Sequence, residues 1–151
     1  MKCDSWDQVE FGDLYSVPSK NGLTKPKSLR GNGVRFLNMG ELFAYNRISD
    51  EPMDKAPITQ REAKSYLLAK GDLLFARQSL VLSGTGKCSI IVDCKKDTTF
   101  DSHIIRIRLD QTKAFSLFYY YYFHSHYGRS QVLSTASQVA AAGIRGSDLA
   151  K

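Results

Sequence analysis

Three segments in the second half of the chain most constrain its fold, because each has the length and composition of a β-strand. Asp72–Arg77 and Gly86–Val92 flank a glycine-containing stretch, and the second includes a continuous apolar run. Runs of this kind suit the interior of a sheet, where both faces are covered. Apolar and basic residues alternate in the third segment, His103–Leu109. We therefore expect one of its faces to pack inward and Arg106 and Arg108 to face outward.

Helical patterns stand beside these strands. Thr59–Lys70 contains good helix formers, and Thr59 and Glu62 have the spacing of a capping box. In Phe115–Phe123 the aromatic residues recur at helical spacing, which predicts a helix with one aromatic stripe. Such a stripe usually packs into a core, and Gly128 is a credible end of this helix.

The order of these elements predicts the fold class. Val9–Leu14 predicts a short turn or helix, and Val34–Met39 predicts a strand that ends near Gly40. Strands and helices are interspersed without a regular β-α repeat. We therefore expect a mixed α/β (α+β) fold, in which a single globular domain has a mixed, curved β-sheet flanked by helices.

Composition narrows the class of protein further. The chain has 151 residues, which fits one domain over 1–151, since a self-sufficient core usually needs about 100–150 residues. No apolar stretch reaches the roughly 20 residues that span a bilayer, so we expect a soluble, cytoplasmic protein without membrane contact. Cys3, Cys88 and Cys94 form neither a disulfide framework nor a zinc pair, which predicts reduced thiols. The formal net charge of +6 favours an anionic partner, most often nucleic acid.

No motif establishes catalysis. Ser83–Lys87 imitates a phosphate loop, but Val81 stands where that loop needs glycine and Cys88 where it needs Ser or Thr. Its glycines instead predict a tight turn that places Lys87 near an external anion. A metal-dependent DNA nuclease built from Asp72, Asp93 and Lys95 is an alternative, although Asp93 lies in what looks like an ordinary charged turn. We expect no metal and no cofactor.

Basic and amide side chains are grouped in loops, as DNA recognition requires. Ser19–Gly33 reads as a long, exposed, basic loop, and Arg77, Gln78 and Ser79 follow a buried strand that would hold them rigidly. Cations hold phosphates, whereas Arg, Asn and Gln form paired hydrogen bonds with base edges. We expect Arg77 and Gln78 to contact bases and the lysines to contact phosphates. The full predicted DNA-binding set is Lys20, Asn21, Lys25, Lys27, Arg30, Arg47, Arg77, Gln78, Ser79 and Lys87.

Several segments together resemble a known family. The segments are Trp6–Leu14, Lys20–Thr24, Gly33–Asn38, the long stretch Tyr66–Arg77 with Ser83–Lys87 behind it, the end of the aromatic helix at Tyr127–Arg129, and Ala142–Leu149. With these segments the chain resembles one target recognition domain of the specificity subunit of type I restriction-modification enzymes.

The resemblance implies a module that reads one half of a bipartite double-stranded DNA target and has no active site of its own. In that family, methylation belongs to modification (methyltransferase) subunits that bind S-adenosylmethionine, and cleavage belongs to an ATP-driven restriction subunit; these are the implied partners. The family's conserved spacer helices and second recognition domain are not expected within 1–151. A third hypothesis, besides DNA reader and nuclease, is a non-enzymatic interaction module that binds modification subunits.

Overall fold

The computed structural model describes residues 8–139 and 141–151, so Cys3, Trp6 and Asp7 lie outside it. The described helices are α1 (Met39–Ala44), α2 (Gln60–Tyr66), α3 (Ser116–His124), α4 (His126–Ser134) and α5 (Gly146–Leu149), with 3-10 helices at Phe11–Leu14, Lys27–Leu29 and Leu82–Gly84. The described strands are β1 (Tyr15–Asn21), β2 (Val34–Leu37), β3 (Arg47–Ile48), β4 (Asp54–Ala56), β5 (Leu73–Ala76), β6 (Gln78–Ser79), β7 (Cys88–Ile91), β8 (Thr98–Phe100), β9 (Ile104–Leu109), β10 (Ser137–Val139) and β11 (Ala141–Gly143).

The strands form three sheets, and the predicted mixed α+β class is confirmed. The largest sheet has the order β1-β9-β5-β7-β3, antiparallel throughout except for the parallel pair β3 and β7. In a second sheet, β2 lies between antiparallel β4 and parallel β8. The third sheet is antiparallel and has the order β10-β11-β6. We expected one sheet; the shorter strands instead pair with one another, which satisfies backbone groups that the large sheet leaves without partners.

The five-stranded sheet is covered on both faces. Along β5, Leu73 and Phe75 belong to one apolar core, whereas Leu74 and Ala76 belong to another. Because side chains alternate along a strand, these two cores lie on opposite faces of the sheet. Helices α3 and α4 contribute to the first core, and α1 and β8 contribute to the second. This arrangement explains why the sequence of β5 is apolar without alternation.

The expectation that Arg106 and Arg108 face outward is wrong. Arg106 is buried, and its Nη1 donates to the carbonyl of Ser65 at 3.3 Å. Arg108 Nη2 donates to the carbonyl of Leu67 at 3.1 Å. These carbonyls lie at the C-terminal end of α2, where helical carbonyls lack partners within the helix. The second face of the sheet is therefore covered by α2, and the arginines satisfy the end of that helix.

Helix α2 begins as predicted. Thr59 Oγ1 accepts from the Glu62 N–H, and Glu62 accepts from the Thr59 N–H at 2.8 Å, which completes the capping box. The helix ends at Tyr66 rather than at Lys70, because the backbone at Leu67 is extended. Helix α1 was not predicted; it occupies the region where the sequence indicated only the end of a strand.

The single aromatic helix is in fact two helices. The chain breaks at Ser125, whose Oγ accepts from the Gly128 N–H at 3.1 Å and so caps α4. Gly128 therefore lies inside α4 and does not end a helix. The predicted packing of the stripe is also wrong in part, because Phe115 and Phe118 are 76% and 58% exposed. The side chains of α3 buried against the sheet include Tyr120 and Phe123, since only one side of this helix meets β7.

Candidate nucleic-acid interface

Polar side chains lie close together at one end of the strands of the five-stranded sheet. Strands β1 and β5 end there and β9 begins there, because Asn21 pairs with Ile105 and Ala76 pairs with Ile104. The Arg77 N–H donates to the carbonyl of His103 at 2.8 Å, which brings the segment after β5 beside the start of β9. We use the name polar edge for the side chains at this place: Asn21, Arg77, Gln78, His103 and Arg145.

The backbone of Arg77 is held on two sides. In addition to its N–H bond to His103, its carbonyl accepts from the Ile144 N–H at 2.9 Å. The half-buried side chain donates from Nη1 to the carbonyl of Ser102 at 3.3 Å. Such a support holds the guanidinium in a defined position while part of it stays accessible. The expectation of a rigid mounting for this residue agrees with these contacts.

Gln78 and Ser79 continue from Arg77 as strand β6. Gln78 is exposed, and its backbone pairs with Gly143 of β11. Ser79 Oγ accepts from the Val81 N–H at 3.2 Å. The Gln78 side chain therefore faces solvent from a paired strand, whereas the Ser79 hydroxyl also supports the adjoining turn.

Two members of the polar edge were not in the predicted set. Arg145 is exposed and directly follows Ile144, whose N–H is bonded to Arg77. His103 is half-exposed, and its Nδ1 lies 2.7 Å from Asp101 Oδ1. Arg145 follows β11, a strand that the sequence did not predict, so no local pattern marked this residue. His103 offered no pattern either.

Two predicted residues of the basic loop point into the protein. Lys25 is largely buried and its Nζ lies 3.0 Å from both carboxylate oxygens of Glu62. Arg30, also largely buried, donates to Asn38 Oδ1 at 2.7 Å and lies over the ring of Phe36. The expectation that Ser19–Gly33 is exposed throughout is therefore wrong, because these cations find partners that are distant in sequence.

The other positions of that loop remain accessible to different degrees. Lys27 and Asn21 are exposed. Lys20 is half-buried, and its Nζ lies 4.4 Å from the centroid of the Tyr66 ring, a distance at which ammonium and ring attract each other. Asn21 is thus the member of this loop that belongs to the polar edge.

Lys87 does not face an external anion. Its Nζ donates to the carbonyls of Leu42 and Tyr45 at the end of α1, and to Ser89 Oγ. Burial lowers the pKa of its ammonium group. The carbonyls at the C-terminal end of a helix carry partial negative charge, so α1 supplies neutral acceptors for this ammonium group in place of an external anion.

Arg47 lies apart from the polar edge. It is exposed on the edge strand β3, beside a cavity of about 520 Å³ that is also lined by Lys70, Phe115 and Leu117. The predicted set of ten residues is thus divided by the fold: some lie at the polar edge, others point inward, and Arg47 lies elsewhere on the surface.

The residues of the nuclease hypothesis do not form a metal site. Asp72 is fully buried, and both of its carboxylate oxygens accept hydrogen bonds from Arg108. Asp93 instead pairs with Lys95 at 3.5 Å on the surface. Within residues 8–139 and 141–151, no group of three or more His, Cys, Asp or Glu side chains is arranged to hold a metal ion.

Cys88 and Cys94 are free thiols, and burial raises the pKa of each.

The longest described helices have nine residues, and no helix in the described ranges has both the length and the apolar character needed to cross a bilayer.

The comparisons with known proteins all lead to the type I restriction-modification systems. Three solved structures have the same fold. One comes from work on "complex assembly and conformational transition of the type I R-M system", with a TM-score of 0.66 and 14% sequence identity. The others are the type I restriction-modification S subunit from M. genitalium (TM-score 0.57, 15% identity) and the HsdS subunit from Thermoanaerobacter tengcongensis (TM-score 0.61, 13% identity). They match 99–100% of this chain, which in turn covers 34–37% of theirs. The chain therefore has the fold of one part of a type I specificity subunit.

A curated relative supports the same class at the level of sequence. The chain is 28% identical over 138 residues to the type I restriction enzyme StySPI specificity subunit of Salmonella potsdam. The match covers 89% of this chain and 29% of that relative. No family model matches the chain. The resemblance to a type I specificity subunit is confirmed, and the chain spans about a third of the length of the proteins it resembles.

Proposed function

We propose that this chain is a sequence-specific double-stranded DNA-binding module that reads one half of a bipartite target. The observation that carries the proposal is the placement of Arg77 and Gln78. They stand side by side on a paired backbone, at the end of a sheet that is covered on both faces, in a chain with net charge +6. Base reading needs hydrogen-bonding side chains on such a rigid support.

The chemistry of the exposed side chains suggests that some contact bases and others contact phosphates. The Arg77 guanidinium suits O6 and N7 of guanine, and the amides of Gln78 and Asn21 suit N6 and N7 of adenine. Lys27 and Arg145, both exposed, are placed in the proposal as phosphate contacts. Lys25, Arg30 and Lys87 are engaged with protein groups, so we assign them to supporting the loops rather than to DNA.

The proposal extends to partners. A specificity module without catalysis directs enzymes held in the same complex, and we propose modification and restriction subunits in the cytoplasm as those enzymes. The name of the StySPI relative and the complex described for one solved structure support this. The buried Arg108–Asp72 pair argues against a nuclease, because Asp72 has no oxygen free for a metal ion.

Selection from a pool of randomised duplexes tests the proposal. One recognition module buries only about 600–1,000 Å² against DNA, so the selection should be run at low salt. We expect enrichment of one short half-site and binding that weakens as salt rises, because phosphate contacts release counterions. If the chain instead bound a modification subunit tightly and enriched no sequence, it would be an interaction module, and the proposal would be wrong.

A further inference from the structure

The connection between β6 and β7 exposes a contiguous apolar tip. Its three residues, Leu80, Val81 and Leu82, are 100%, 61% and 41% exposed. Single apolar residues are common on protein surfaces, but a run of three at the end of a loop has an unfavourable hydration free energy and usually marks a contact site. Nothing in the catalytic-site hypotheses or in the polar edge accounts for this tip.

Hydrogen bonds to three successive carbonyls, those of Val81, Leu82 and Ser83, hold the loop that carries the tip. The Gly84 N–H donates to the carbonyl of Val81 at 3.0 Å, and the Thr85 N–H donates to the carbonyl of Leu82 at 3.1 Å. From α4, Arg129 Nη2 donates to the carbonyl of Ser83 at 2.6 Å. A tip that is ordered before binding loses little conformational entropy when it enters a partner.

The base of the loop is closed as well. The Gly86 N–H donates to the carbonyl of Ala76 at 2.8 Å, and the Ala76 N–H donates to the carbonyl of Lys87 at 2.9 Å. Gly84 packs against Ser79 so closely that any side chain there would collide with the hydroxyl. Backbone hydrogen bonds therefore close the loop at its base, where it projects from the sheet.

We propose that Leu80 is an apolar wedge that enters the DNA and partly unstacks one base step. The inference rests on the proposed function, because Leu80 follows Gln78 by two residues, which is roughly 7 Å along an extended chain. Leucine is among the apolar side chains that proteins insert between base pairs, most readily at flexible pyrimidine–purine steps. The polar residues beside it would keep the duplex in register.

The size and neighbours of the tip favour DNA over a protein partner. A stable protein interface covers about 800 Å² on each side, whereas this tip is three residues long and is preceded by the polar Gln78 and Ser79. An adjoining cation, Arg77, suits a polyanion. Leu80, which is fully exposed and follows the hydrogen-bonding side chains of Gln78 and Ser79, is therefore better matched to a groove than to an apolar protein surface.

Fluorescence of 2-aminopurine tests the wedge. The probes are 30-base-pair duplexes that contain the selected half-site, each with 2-aminopurine in place of one adenine, and the protein is the full chain. We expect the wild-type chain to increase the fluorescence several-fold at one step, because unstacking relieves quenching. Leu80→Ser should abolish the increase and weaken binding about tenfold, while Leu80→Phe should retain the increase.

Leu117→Ser is the matched control, since Leu117 is an exposed leucine near the opposite end of the sheet. We expect it to leave fluorescence and affinity unchanged, and circular dichroism confirms that each variant is folded. Equal fluorescence and affinity for wild type and Leu80→Ser would overturn the wedge alone. Loss of binding to a modification subunit, with DNA binding intact, would overturn it in favour of a protein contact. Failure of the wild-type chain to bind any duplex would overturn both proposals.

Discussion

Arg108 donates two hydrogen bonds to the carboxylate of Asp72, from Nε to Oδ1 at 2.7 Å and from Nη2 to Oδ2 at 2.8 Å. The Ala69 N–H donates to Oδ2 as well, at 2.8 Å. The hydrogen bond with Asp72 raises the pKa of Arg108. This pair joins β9 to the turn after α2. From the sequence, Arg108 was expected to face solvent, and Asp72 was a metal ligand in the nuclease alternative.

Removal of Arg108 should destabilise the fold. Arg108→Met leaves a fully buried carboxylate without its cation, and the free energy of unfolding should fall by about 3–5 kcal/mol in urea unfolding at pH 7. Lys95→Met is the control, because it breaks the exposed pair with Asp93 and should change stability by less than about 0.5 kcal/mol. Similar small effects of both substitutions would mean that the buried pair is not structural.

Two glycine-to-alanine substitutions should change the free energy of unfolding in opposite directions. Gly40→Ala in α1 meets no atom and should stabilise the protein by about 0.5–1 kcal/mol, because alanine is the better helix former. Gly128→Ala in α4 places a methyl group against the carbonyl oxygen of Tyr122 and should destabilise by at least about 1–3 kcal/mol. Thermal unfolding of the two variants measures both signs, and stabilisation by Gly128→Ala would contradict the observed junction between α3 and α4.

The charge of Glu62 should contribute a pH-dependent part of the stability. The Thr59 N–H and the Lys25 ammonium hold the pKa of Glu62 below its ordinary value of 4.5. Its contribution is therefore complete above pH 4.5 and is lost as the pH falls through the lower pKa of the folded state. Glu62→Gln keeps a capping acceptor, so it should cost about 0.2–1 kcal/mol at pH 7 and progressively less in acid. Urea unfolding from pH 7 to pH 3 measures the difference, and a constant difference would count against the ion pair.

Substitutions at the proposed base contact and at the proposed phosphate contact should have different effects on DNA binding. Arg77→Ala should relax preference at one base position by about 1–3 kcal/mol, whereas Lys27→Ala should weaken all sequences alike and reduce the salt slope by about one. Lys113→Ala is the control at the opposite end of the sheet, where its Nζ bonds to the carbonyl of Asp13. Binding selections with each variant measure these effects; an unchanged base preference for Arg77→Ala would show that its assignment is wrong.

Local patterns were sufficient for part of this structure. Strands β5, β7 and β9 and the capping box at Thr59 depend on neighbouring residues, and the sequence predicts all of them. The inward direction of Lys87 depends on Leu42 and Tyr45, more than 40 positions away. Periodicity carries no information about such partners.

The polar edge was predictable to a similar extent. Arg77 and Gln78 were found because they follow a recognisable strand. Arg145 was missed because its place beside Arg77 is set by a hydrogen bond between positions 77 and 144. The inward position of Arg30 depends on acceptors contributed by several elements, so its local composition suggested only a solvated cation.

Coverage of the five-stranded sheet on both faces has an evolutionary consequence. A scaffold whose strands are sandwiched between two apolar cores tolerates little change along their length, but the exposed side chains of the connections at their ends are under no such packing constraint. Under the proposed function, a lineage would acquire a new DNA preference by altering a few codons around positions 77–82, while inheriting the interior unchanged.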